Sequence, residues 1–230
     1  AIYLAAGCSA ALADAFLQGK IGGGIAIVRP PGHHAHHDHA AGFCFFNNAA
    51  ICAVKLTAAG KKVLIVDYDV HIGDGTIDIL KTTQKNNDLL RYFSVHRYDR
   101  GGFYPFSDVA QSTAADVDER ITLVGTNKCI EDKKSANNFN LQFQHRFDKT
   151  IYKWTPDVIV VSAGFDAASK DPVGGCILYA KDYANMTKTM FEFCPNILMV
   201  LEGGYNREQL RDCSYAAINT LETLLQNREQ

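Results

Sequence analysis

The stretch Val63-Leu64-Ile65-Val66-Asp67-Tyr68-Asp69-Val70-His71-Ile72-Gly73-Asp74-Gly75 constrains this chain more than any other. Its leading apolar run, rich in Val and Ile, follows Lys61-Lys62 and reads as a parallel strand buried on both faces. Three acids and a histidine then fall within eight residues, closed by Gly73 and Gly75. In an open α/β sheet, ligands bind just beyond the carboxyl ends of the strands. While the backbone stays extended, Asp67, Asp69 and His71 alternate onto one face. A carboxylate and an imidazole two residues apart suit a borderline ion such as zinc. A strand-end aspartate capping the next helix accounts for one of these acids and not for the cluster. A metal site is therefore the favoured reading.

Composition bounds the rest. At 230 residues and 47% hydrophobic, the sequence predicts one globular domain with ample core. A formal charge of −2 and the lack of a basic block predict no direct grip on nucleic acid. Seven scattered cysteines without a C-x-x-C pair favour free thiols in a reducing compartment over a disulfide framework. Neither a signal peptide nor an apolar run of about eighteen residues is visible, so a soluble intracellular protein with no membrane partner is expected. The chain opens on Ala1-Ile2-Tyr3 without Met, which reads as the loss of an upstream segment.

In chain order, 1–18 favours a helix, and Gly19 and Gly22-Gly23-Gly24 punctuate it. Ile25 to Val28 reads as a short buried strand stopped by Arg29-Pro30-Pro31-Gly32. His33, His34, His36, His37 and His39 follow, five of the eight histidines in seven residues. A purification tag would sit at a terminus, whereas this run lies between a strand and Gly42-Phe43-Cys44-Phe45-Phe46; surface metal scavenging remains open for His36, His37 and His39. Asn47 to Ala59 predicts a helix stopped by Gly60, and Thr76 to Leu80 begins another. Arg91 to Val95 reads as a strand, Gly101 to Pro105 as a loop, 107–120 as irregular, and Ile121 to Val124 as a strand. A helix over Asn138 to Lys153, strands at 158–161 and 197–201, and a closing helix over Arg207 to Gln226 complete the reading.

Polar groups recur where strands end: the histidine run, the Asp/His cluster, Asp166 and Tyr205. Alternating strands and helices imply a parallel sheet whose carboxyl edge gathers all four. Asp69, His71 and Asp166 then supply three ligands and leave a fourth position open, as catalytic zinc requires. His33 and His34 stand ready as acid and base, and Gly203-Gly204 lets the backbone bring Tyr205 over the site as a hydrogen-bond donor. Asp166 as a cap and Tyr205 as a core residue are the bland alternatives for each alone. Together the groups fit metal-assisted hydrolysis of an amide or ester.

Arg29-Pro30-Pro31-Gly32-His33-His34-Ala35, Gly42–Asn47, Asp67–Gly75, Ser162–Asp166 with Asp171-Pro172-Val173-Gly174-Gly175, and Leu201–Asn206 resemble the zinc-dependent histone deacetylases, and their class II most of all. The resemblance runs from about residue 3 to residue 206. It implies a three-layer α/β arginase/deacetylase-like fold with a central, mostly parallel sheet lacking its N-terminal part. Residues 1–230 would then be a single, N-terminally incomplete catalytic domain. The implied reaction removes acetyl groups from lysine side chains of proteins, histones among them, in the nucleus or the cytoplasm, with co-regulator proteins as possible partners. By resemblance, Asp69, His71 and Asp166 bind Zn2+; His34 is general base and acid; His33 assists electrostatically; Asp67 and Asp74 orient those histidines; Tyr205 polarises the acetyl carbonyl. A K+ ion is implied on Asp67, Asp69, His71, Ser94 and Val95, and an acetyl-lysine tunnel on Gly42, Phe43, Tyr104 and Gly204.

The sequence departs from the family in three places. Ile72 stands where a second histidine is usual, Tyr104 replaces the phenylalanine opposite Phe43, and the histidines after Ala35 are unusual. Three rival readings bear on function. A two-manganese ureohydrolase needs further carboxylates where this chain has Gly73 and Ala168. An acetylpolyamine or other small-amide deacetylase carries an acidic gatekeeper where Val173 stands. A weakly active acetyl-lysine-binding scaffold carries histidine in place of Tyr205. A dinucleotide-binding reading lacks a G-x-G-x-x-G after a strand.

Overall fold

Val63–Asp67 (β2), Val158–Ala163 (β5) and Ile197–Leu201 (β6) are buried at every position, as continuous apolar runs demand of central parallel strands. The computed structural model describes residues 1–107, 118–126, 139–147 and 154–228. Gly23–Ala26 (β1), Leu90–Arg97 (β3) and Ile121–Thr126 (β4) complete a six-stranded sheet of order β1-β6-β5-β2-β3-β4, with every pairing parallel.

Because strand side chains alternate between faces, β2 feeds two cores. Leu64 and Val66 join Phe93, Val161 and Met199 on one face, covered by Ala180–Phe193 (α4) and Arg207–Arg228 (α5) through Tyr183, Met186, Met190, Ala217 and Leu221. Val63 and Ile65 join Val160 and Leu198 on the other, covered by Ile2–Leu17 (α1), Asn48–Ala58 (α2) and Asp74–Lys81 (α3). Each such Val, Leu or Ile, fully buried, contributes about 1.5–3 kcal/mol. The result is the three-layer α/β arrangement expected, with its sheet wholly parallel among the described residues.

Local signals account for the joints. Asn47 caps α2, its side chain accepting from the Ala50 N–H at 2.9 Å. β2 lies between β5 and β3, so the chain order switches direction at its end, where a ligand crevice opens. The first strand lies two residues earlier than Ile25–Val28. It pairs Gly23–Ala26 with Ile197–Val200, and Ile27 is exposed where the chain peels away toward Pro30. Two of the glycines read as punctuation, Gly23 and Gly24, belong to that strand, against Leu225 and Leu12. α4 was not anticipated. The helix expected over 138–153 is described only at 139–147, and most of the irregular 107–120 stretch lies outside the described residues. No disulfide joins the described cysteines, and no helix among the described residues is long and apolar enough to cross a membrane.

Candidate active site and metal centre

Asp67, the last residue of β2, is in register with Ser162 of β5, so the segments just beyond both strands leave the sheet side by side. Asp69 and His71 from the first meet Asp166 from the second. The His71 Nδ1 atom lies 3.0 Å from Asp69 Oδ1 and 3.1 Å from Asp166 Oδ2. The backbone fixes both acids: Gly203 N–H donates to Asp69 Oδ2 at 2.9 Å and Val70 N–H to Asp166 Oδ1 at 2.9 Å. One candidate ligand atom from each residue lies within 4.8 Å of the others, and all three residues are buried. At Gly164 and Gly203 a Cβ would run into these carboxylates, so a side chain at either position would displace the candidate ligands.

Burial raises the Asp166 pKa, and the Asp69 charge adds to it, reaching about 6. Burial opposes ionisation of Asp69 as well, but His33 and His71 hold it well below the usual carboxylate range. Burial would lower the His71 pKa; its hydrogen bonds to Asp166 and Asp69 reverse this and raise it to about 10. Two desolvated carboxylates around one imidazole therefore demand positive charge at their centre. An oxygen–nitrogen–oxygen donor set with room for further ligands meets the preferences of zinc. The residues fit the ion.

Two histidine–aspartate pairs stand beside the triad. His33 Nδ1 lies 3.0 Å from Asp67 Oδ2, which also accepts from the Tyr92 hydroxyl at 2.9 Å. His34 Nδ1 lies 2.6 Å from Oδ1 of Asp74, in the first turn of α3, and the two imidazole rings are 4.1 Å apart. Glu202 Oε2 accepts from the N–H groups of Gly32 and His33 at 2.6 and 3.1 Å, clamping the turn that carries both histidines. Burial, and then the neighbouring His33, lowers the His34 pKa to about 4. Burial would lower that of His33 too, but Asp69 and Asp67 raise it well above the usual value. The two adjacent imidazoles thus carry different charges near neutral pH.

A cavity of about 390 Å³ opens above these groups, with His33, His34 and His71 on its floor and Gly42, Phe43, Tyr104, Val173, Gly203 and Tyr205 among its walls. Gly42 has φ +50, and a Cβ there would enter the His34 ring. Tyr104 meets His34 edge-on at 5.0 Å and Phe43 faces Tyr205 at 6.3 Å. Gly203 supplies wall, while Gly204 is buried and its carbonyl accepts from Arg29 Nη2 at 3.0 Å. Ser94 of β3 lies opposite Asp67 in register, and Val95 packs into the sheet core.

Sequence reasoning assigned no role to several supports. Phe103 stacks on His71 at 4.9 Å, with the Arg97 guanidinium 4.2 Å from the Phe103 ring. Asp171 accepts from the N–H groups of Tyr205 and Asn206 at 2.7 and 3.1 Å, so the Asp-Pro turn holds the tyrosine loop. Tyr92, Glu202 and Arg29 are likewise second partners of residues that were singled out. Of these, only Glu202, directly after β6, stood at a strand end where a polar residue could have signalled it; Tyr92 lies inside β3. His36, half-buried, touches Asp74; His37 and His39 are exposed.

Fold and site together define a class: a doubly wound α/β protein that gathers a carboxylate–imidazole metal triad and two histidine–aspartate pairs beneath one cavity. The chain belongs to the histone deacetylase family, whose histone deacetylase domain matches residues 1–221. It is 41% identical over 229 residues to "Histone deacetylase 15" of Arabidopsis thaliana, covering 98% of this chain and 40% of that protein. With "Histone deacetylase 9" of Homo sapiens it shares 34% identity, over 96% of this chain and 22% of the relative. Among solved structures, "Crystal Structure of HDA15 HD domain" superposes with a TM-score of 0.86 at 38% identity, covering 95% of this chain and 61% of that one. The chain spans less than half the length of these two curated relatives.

Proposed function

We propose that residues 1–230 form one catalytic domain of a zinc-dependent protein lysine deacetylase, hydrolysing N6-acetyl-lysine in histones or other proteins to lysine and acetate. The observation that carries this is geometric: two histidine–aspartate pairs, His34 Nδ1 to Asp74 at 2.6 Å and His33 Nδ1 to Asp67 at 3.0 Å, stand beside the triad on the floor of one cavity. A neutral, carboxylate-oriented His34 is free to take a proton from the attacking water. A cationic His33 adds positive charge beside the developing oxyanion.

Zinc held by Asp69, His71 and Asp166 would lower the pKa of a bound water and polarise the acetyl carbonyl. The protein's own groups do the rest. Phe43 and Tyr104 flank the lysine stem; Gly42 leaves space beside the His34 ring. As water attacks, His34 Nε2 receives its proton while Asp74 holds Nδ1. The C–N bond then breaks, and the same imidazolium returns the proton to the leaving amine. Tyr205, fixed through its backbone by Asp171, donates to the oxyanion. Potassium is proposed on Asp67, Asp69, His71, Ser94 and Val95; the oxygen donors of Asp67 and Ser94, opposite one another in register, suit a hard cation.

Val173 on the cavity wall favours the uncharged stem of an acetyl-lysine over an acetylpolyamine, whose second, charged amine lacks an acidic partner there. Acetyl-lysine proteins are the proposed substrates and co-regulators the proposed partners. Nuclear or cytoplasmic residence follows from the same reading, with no direct nucleic-acid contact. His34→Ala tests it: hydrolysis of an acetyl-lysine peptide should fall by roughly 10²–10⁴ with metal content unchanged. Near-normal turnover in the metal-replete variant would assign the base elsewhere.

A further inference from the structure

His36 faces the same carboxylate as His34. The Asp74 side chain receives His34 Nδ1 on Oδ1 at 2.6 Å and His36 Nε2 on Oδ2 at 3.3 Å, so the two imidazoles occupy its two oxygens. His36 is itself held from both sides. Its Nδ1 is 3.6 Å from Asp78 Oδ2, one turn further along α3, and its ring stacks on His39 at 4.2 Å and 16°. Asp78 is tied in turn to the His37 backbone N–H and to His37 Nδ1, each at 2.8 Å. The histidine run is thus docked on the first two turns of α3, and the point of closest approach to the cavity is Asp74.

We propose that His36 is a positioning residue for the deacetylation step, acting on His34 through Asp74. A carboxylate that orients an imidazole works only while its own rotamer is fixed, and the support of such groups decides how precisely the base is aimed. Asp74 sits in the first turn of its helix and is partly open to solvent. With His34 alone it could swing about its Cβ–Cγ bond, carrying the ring with it. The His36 donor on Oδ2 fixes the carboxylate plane and leaves Oδ1 aimed at His34 Nδ1. The same donor shares the negative charge, which restrains Asp74 from stabilising the protonated ring and keeps His34 ready to give its proton back.

This inference rests on the proposed deacetylase reading for one of its readouts and is independent of it for the other. In the zinc-loaded protein, His36→Leu should lower kcat on an acetyl-lysine peptide roughly three- to tenfold, the size of one hydrogen bond, with KM and metal content unchanged. His36→Gln, which returns an N–H donor near the Nε2 position, should restore most of that loss. In an Asp74→Ala background, His36→Leu should cost nothing further, because the shared carboxylate has already gone. The second readout is the His34 Nδ1 proton in NMR spectra. Its resonance, set by the short bond to Asp74, should move in His36→Leu and return in His36→Gln, whatever reaction the protein catalyses. A wild-type chain inactive on acetyl-lysine that still shows this shift would overturn the deacetylase reading and leave standing only the positioning of His34 by His36 through Asp74. An unmoved proton in His36→Leu, or an equal loss of kcat with and without Asp74, would overturn the positioning role.

Discussion

Asp69 and Asp166 are both buried carboxylates bonded to one His71 ring, yet burial and repulsion raise Asp166 to about 6 while Asp69 stays ionised. His33 accounts for the difference, since its positive charge lies on the Asp69 side, 3.8 Å from Oδ1. Single residues therefore divide the work. Tyr205→Phe keeps the ring and removes the one hydroxyl proposed to meet the oxyanion. Turnover should fall by about 10²–10³, with KM nearly constant; a rise in KM at unchanged kcat would make Tyr205 a wall residue. Glu202 makes a separate prediction about stability. Burial raises its pKa to about 7, and Oε1 has no hydrogen-bond partner among the described residues. A folded-state pKa raised above the unfolded value gives stability that is present below about pH 4.5 and lost as pH rises through about 7. Glu202→Gln is neutral throughout and retains an acceptor for Gly32 and His33. Relative to wild type it should gain up to about 3 kcal/mol in urea denaturation between pH 4.5 and pH 7.5. A pH-independent difference would mean that Glu202 is not held neutral.

At the scale of elements, what could be read in the sequence depended on burial. β2, β5 and β6 are covered on both faces, so their apolar runs carry the strand signal undiluted. Among the described residues β1 pairs on one side only, through glycines that carry no such signal, and its bounds fall two residues earlier than expected. α4 was missed although Tyr183, Met186, Thr187 and Met190 recur at helical spacing, because charged and polar residues fill the positions between them. The strand-end positions of the candidate ligands were legible because each ligand lies within four residues of its strand's end. Phe103, Asp171 and Glu202 were not, because each acts on a residue distant in the chain or through backbone atoms. Gly164 ties the two levels together. A methyl group there would meet the Asp69 carboxylate, so Gly164→Ala should keep the fold and lose metal affinity. Dialysis against a graded chelator should strip the variant at least tenfold more readily; equal retention would show that the two strand ends can separate without cost.

Across the whole molecule, the parallel sheet sends β2 and β5 out at the same edge, and everything proposed to react stands on that edge. Two buried cores hold the strands in register, and the helix carrying Asp74 starts within a few residues of His71. Among the described residues, Asp69, His71 and Asp166 are the group of three whose ligand atoms could hold an ion, and one ion per chain is the proposal. The most direct test loads the protein with increasing zinc and measures acetate released from an acetyl-lysine peptide at each loading. Acetate release should rise linearly and stop at one zinc per chain, and Asp166→Asn should abolish both binding and release. Full occupancy without acetate, or activity that requires a second equivalent of metal, would contradict the account.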